Sequence, residues 1–88
     1  MILVDQPIWP AHGRRFAPLV SDTSLEELHE FAARLGLPER AFHRDHYDLP
    51  DAWWDRAVAA GAQPVTSREV VRRLRAAGLR RPRRRDQP

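Results

Sequence analysis

Two stretches, SLEELHEFAARLG and TSREVVRRLRAAG, constrain the fold most, because each carries its own start, apolar face and stop. In the first, Ser24 with Glu27, or Thr23 with Glu26, supplies a capping box, and Leu25, Leu28, Phe31, Ala32 and Leu35 recur at helical spacing before Gly36. In the second, Thr66 and Glu69 supply the box, Val70, Val71, Leu74 and Ala77 the face, and Gly78 the stop. A third helix is predicted over DAWWDRAVAAG, with Pro50 in its first turn, Asp48 or Leu49 near its cap and Gly61 at its end. Trp53, Ala57 and Ala60 share one side of it, which turns Trp53 inward and leaves Trp54 partly exposed.

Between these helices the chain is cut into short apolar runs. Ile2, Leu3 and Val4 read as a buried strand ended by Asp5, and QPIWPAHGRR, with two prolines and a glycine, as a loop. RFAPLV is a second strand, placed at an edge or bulge by Pro18, which lacks a ladder donor. AFH and AQPV are shorter candidates. Pro50 disfavours helical geometry at Leu49, so His46 to Leu49 is expected to be extended, with His46 and Asp48 on one face and Tyr47 and Leu49 on the other. The alternation predicts a small single α/β domain over residues 1–78, with a short, largely parallel sheet of three to four strands and about three helices. Residues 79–88, LRRPRRRDQP, are expected to form a disordered basic C-terminal tail. In a parallel architecture ligands collect at the carboxyl ends of strands, where Asp5 and the HYD segment fall.

An 88-residue chain buries a small core, which leaves room for a homodimer. It has no cysteine, so disulfides and thiolate zinc sites are excluded and any metal would need histidine and carboxylate ligands. The opening MILVDQPIWP lacks the basic region of a secretory signal, and no apolar run approaches the roughly 20 residues of a spanning helix, so the expectation is a soluble cytoplasmic protein with no membrane partner. All the basic residues are arginine, a bias that high-GC coding produces by itself. Charge is uneven: residues 1–67 hold 6 arginines against 10 acids, and residues 68–88 hold 9 against 2.

The densest chemistry lies in FHRDHYDLP. His46 and Asp48 suit a general acid/base pair or a metal site, since a neighbouring carboxylate orients an imidazole and raises its basicity, and Asp5 could supply a third group. The competing reading has both residues hydrogen-bonded at a strand end, with Asp48 capping the next helix. His43, three residues before His46, falls on the opposite face of an extended segment and is left out of the site. His29 flanks the apolar stripe of its helix and reads as a boundary residue. His12, in the WPAHGRR loop with Trp9, Arg14 and Arg15, could close over an anion, or the loop could simply be solvated. The arginine-rich end suggests non-specific nucleic-acid binding, set against a solubilising tail in an arginine-biased proteome. No glycine-rich phosphate loop, GxSxG elbow or HExxH pair occurs, and no motif names a cofactor.

The strand ending ILVD, the loop WPAHGR, the block FAPLVSDTSLEELHEFAARLGL, FHRDHYDLP and GAQPVTSREVVRRL together resemble the domain-of-unknown-function family DUF4031, of bacteria and phages, from about Ile2 to Leu74. That resemblance implies no established activity. It marks Asp5, Trp9, Gly13, Arg14, Asp22, His46, Tyr47, Asp48, Arg68 and Glu69 as fitting the family pattern. The chain departs from the pattern at Pro18, where the resemblance implies histidine, and at His43, where it implies glutamine. The expected site is therefore a polar pocket of Asp5, His46 and Asp48, backed by Tyr47. Arg14 and Arg68, with Trp9 and His12, would face an anionic ligand, and the expected chemistry is hydrolysis or transfer at a phosphate-containing substrate. The alternative is a non-enzymatic nucleic-acid-associated or protein-interaction module using the arginine-rich end.

Overall fold

The strand that opens the chain, β1 (Ile2–Val4), lies inside a mixed sheet rather than at its border. The computed structural model describes residues 1–7, 9–11 and 13–80. Along the chain follow β2 (Trp9–Ala11), β3 (Arg14–Ser21), α1 (Leu25–Leu35), β4 (Phe42–His43), β5 (His46–Pro50), α2 (Trp54–Ala59), β6 (Gln63–Pro64) and α3 (Ser67–Ala76), with 3₁₀ turns at Glu39–Ala41 and Asp51–Trp53. The strand order is β4-β5-β3-β1-β6, and β2 pairs with the first half of β3.

The sheet is not the largely parallel one expected. Only β1 and β6 run parallel, while β3 is antiparallel to β1, β2 and β5, and β5 to β4. The reason lies in the connections: no helix separates β1 from β3, or β4 from β5, so the chain reverses at each instead of crossing over. The loop expected over residues 6–15 contains β2, whose backbone pairs with β3 in a register that sets position 9 opposite position 16.

Pro18 is a second correction. It sits mid-strand in β3, the centre of the sheet, not at an edge. Its carbonyl accepts from the Asp5 amide at 3.0 Å, and in an antiparallel pair the return bond would run from residue 18 to the Asp5 carbonyl. Proline cannot give it; the Trp54 indole does, at 2.9 Å. The position also falls between the stretch of β3 paired with β1 and the stretch paired with β2, where the ladder already changes partner.

Both faces of the sheet are covered. On one, Ile2, Val4, Ala17, Leu19, Tyr47 and Leu49 meet Leu28, Phe31, Ala32 and Leu35 of α1 and Ala57 of α2. On the other, Leu3 and Val20 meet Val70 and Leu74 of α3, with Val65 and Leu79 at the margin. At about 1.5–3 kcal/mol per buried aliphatic side chain, this second layer is thin. It is reinforced by Arg73, which donates to Asp22 at 2.7 Å and to Glu69 at 2.6 Å, tying α3 to the loop after β3.

The cap signals of α1 and α3 hold, but Val71 and Ala77, expected on the core face of α3, do not join it: Val71 is half-buried beside Arg72 and Ala77 is exposed. Ser24 caps α1 by accepting from the Glu27 amide at 3.0 Å, and Gly36 ends it at φ 98°, a left-handed conformation that costs glycine nothing sterically. The Glu27 side chain turns to Ser21 and the terminal amine, so the box is closed on the Ser24 amide by Ser21 Oγ instead. Thr66 caps α3 through the Glu69 amide. Arg56 of α2 lies over the Trp53 ring at 4.1 Å and donates to the Leu35 carbonyl at 2.7 Å, which fastens α2 to the carboxyl end of α1. Asp48 and Leu49 cap nothing: the 3₁₀ turn after β5 starts from Pro50 without a side-chain cap. Leu79 packs on the second layer and Arg80 bonds Asp45, and the rest of the expected tail, residues 81–88, lies outside the described residues.

Candidate functional site

α3 covers the β1 and β3 part of its face of the sheet, and the β5–β4 part carries polar residues instead. The burial pattern along β5 alternates, with Tyr47 and Leu49 buried and His46, Asp48 and Pro50 half-buried. The expected facial split of His46 and Asp48 from Tyr47 and Leu49 is therefore present, and His46 Nε2 lies 3.2 Å from Asp48 Oδ1.

His43 joins them, contrary to the expectation that left it out. Strand alternation does not run through a hairpin: Arg44 and Asp45 reverse the chain, with Arg44 at φ 59°, and cross-strand pairing brings His43 directly opposite His46. His43 Nε2 lies 3.1 Å from Asp48 Oδ2, so one carboxylate stands between two imidazoles. The signal was present in FHRDHY as two aromatic–histidine pairs related by reversal about a two-residue turn.

Behind this cluster runs a second ionic link. His46 Nδ1 lies 2.9 Å from Asp45 Oδ1, and Asp45 accepts from Arg80 Nε at 2.6 Å and Nη2 at 2.9 Å. Burial alone would favour the neutral acid of Asp45, but the bonds from Arg80 and then His46 outweigh it and hold the carboxyl below its ordinary range. The same bond raises Arg80. The continuous order is Arg80, Asp45, His46, Asp48, His43, with exposure rising from Asp45 to His43.

His43 and Asp48 stand on the rim of an open groove of about 580 Å³ whose walls include Phe16, Leu37, Pro50 and Trp53, with Arg40 as a further polar group. The side chains of His43 and Asp48 are 58% and 39% exposed, against 25% for His46, which makes the first two the reachable pair.

The remaining expected site residues are dispersed. Asp5 follows the β1 carboxyl end as anticipated, but Pro18 separates it from Asp48 in one row across the sheet, a span of about 10 Å at two strand spacings. Its buried carboxylate accepts from the Gln6 amide at 2.6 Å and from Ser67 Oγ at the start of α3. Tyr47 packs behind the cluster with its hydroxyl 2.7 Å from His29 Nδ1, on the opposite face from Asp48; burial, then the charge of Glu39, pushes its phenol up. His29 is thus the boundary residue expected. Arg14 is exposed at the start of β3, Arg68 is exposed on α3, and neither lines the groove. Trp9 lies on β2, and His12 lies outside the described residues. No group of three or more potential metal-ligating side chains is disposed around a common point among the described residues.

Fold and cluster together define a small mixed-sheet α/β domain in which a β-hairpin presents an imidazole–carboxylate–imidazole array. The chain belongs to DUF4031, a family described as protein of unknown function, whose model matches residues 2–77. Comparison with curated proteins and with solved structures finds no match. No helix among the described residues is long and apolar enough to cross a membrane.

Proposed function

We propose that the groove beside His43 and Asp48 binds an anionic, phosphate-containing ligand and that this pair carries out acid/base chemistry on it, hydrolysis or transfer. The observation that carries the reading is the Asp48 carboxylate set between two imidazoles, 3.1 and 3.2 Å away, at the rim of the groove. A carboxylate at Nε2 keeps the proton on that nitrogen, so in the neutral ring of His43 Nδ1 is the basic atom left for a ligand. His46 serves as a positioning residue: it orients Asp48 and is itself fixed by Asp45 and Arg80. Arg40 offers charge-assisted hydrogen bonds to phosphate oxygens, and Phe16, Trp53 and Pro50 offer flat apolar walls to a ring attached to it.

Titration with adenosine monophosphate, followed through the histidine ring signals by NMR, tests this. The expected result is selective movement of the His43 and His46 signals, weakened at least tenfold in Kd by His43→Ala, Asp48→Asn or Arg40→Gln, each with little change in melting temperature. No shift at millimolar nucleotide or inorganic phosphate, or affinity unchanged by all three substitutions, rejects the reading.

A further inference from the structure

The arginines around α3 fall into two sets. Arg73 is engaged with Asp22 and Glu69, Arg80 with Asp45, and Arg72 with Glu69. Arg68 and Arg75 form no ion pair among the described residues, and both are exposed. With Arg72 they stand at i, i+4 and i+7, one stripe about 10 Å long with Val71 beside it, turned away from the Val70 and Leu74 face that meets the sheet.

We propose that this stripe is a nucleic-acid-binding face that contacts the phosphate backbone of a duplex without reading sequence. Like charges at such spacings oppose one another on an isolated helix, and a polyanion laid along them removes that opposition. Phosphates along a duplex recur closely enough for Arg68 and Arg75, at the two ends of this length, to engage separate charges, with Arg72 between them paired to Glu69. The stripe is continuous in sequence with the most basic part of the chain, where 9 arginines face 2 acids after residue 67, whereas 10 acids face 6 arginines before it. A polyanion is therefore drawn to this part of the chain rather than to the acidic remainder. Residues 68–88 include no aromatic side chain to stack on unpaired bases, which favours backbone contact with a duplex over single strands. Insertion into a lipid surface is disfavoured because the apolar face of α3 is already buried against Leu3 and Val20.

Fluorescence anisotropy of a short labelled duplex against the full chain, over a salt series, is the test. Binding is expected to be equal for unrelated sequences. Arg68→Gln with Arg75→Gln is expected to flatten the slope of log K against log salt by about 1.8, at about 0.9 per phosphate contact. The corresponding lysine double variant should retain the slope, which separates lost charge from altered folding. A slope unchanged by the glutamine pair, or wild-type protein that ignores the duplex while binding phosphatidylserine vesicles, overturns the proposal.

Discussion

Replacing Trp54 with phenylalanine removes a single N–H from a place where the backbone cannot substitute for it. The Asp5 carbonyl receives the Trp54 indole at 2.9 Å, and its opposite residue in the ladder, Pro18, has no amide hydrogen. Asp5 is 2% exposed, so water does not readily replace the donor. Losing this bond costs about 0.5–1.5 kcal/mol, to which the smaller ring adds a packing loss of comparable size. In a domain of this size about 1 kcal/mol moves Tm by about 4–8 °C, so the variant should melt at least about 4 °C lower. The packing loss is separated by repeating the substitution in a Pro18→Ala background, where residue 18 regains its amide and can bond the Asp5 carbonyl directly. There the Trp54→Phe penalty should shrink by about 0.5–1.5 kcal/mol, measured as a double-mutant cycle by urea denaturation. Equal penalties in the two backgrounds would refute the idea that the indole stands in for the proline's missing donor.

Acid should act through Asp45. Its folded carboxyl titrates below its unfolded value, so its contribution is complete above the ordinary carboxylate range and disappears as pH falls through the lower folded value. Arg80→Gln removes the main lowering partner, and the difference in urea midpoint between wild type and this variant should narrow as pH drops below about 4; a constant difference down to pH 2 counts against the assignment. Ser24→Ala should cost about 1 kcal/mol by loss of the α1 cap, read as a lower urea midpoint at unchanged m-value, and no loss would mean that Ser21 alone sustains the helix start.

Local chemistry was the legible part of the sequence. Caps and stops placed α1 and α3 nearly to the residue, because the groups that satisfy a helix end are its immediate neighbours in the chain. Alternation likewise separated His46 and Asp48 from Tyr47 and Leu49 correctly. What could not be read was strand partnership. A parallel sheet was inferred from alternating elements, yet the direction of each pair depends on the whole path of the chain between the strands that meet, so that β3 and β5 are antiparallel although α1 intervenes, and β2 lies in a stretch whose prolines and glycine read as a loop. Pro18 was sent to an edge or a bulge because its compensating donor lies 36 residues away on α2. His43 was excluded by a rule for continuous strands that a two-residue reversal suspends. Asp45 and Arg80 were missed because their sequence separation of 35 conceals a bidentate contact.

The brevity of the outer strands carries a further consequence. β4 and β6, at the two borders of the sheet, are two residues long, β6 contains Pro64, and the flanking β2 contains Pro10. Borders so short and so poor in amide donors give a neighbouring molecule little template on which to add a strand. The sheet is thereby guarded against growing into fibrils, even though its interior strand β1 is wholly apolar.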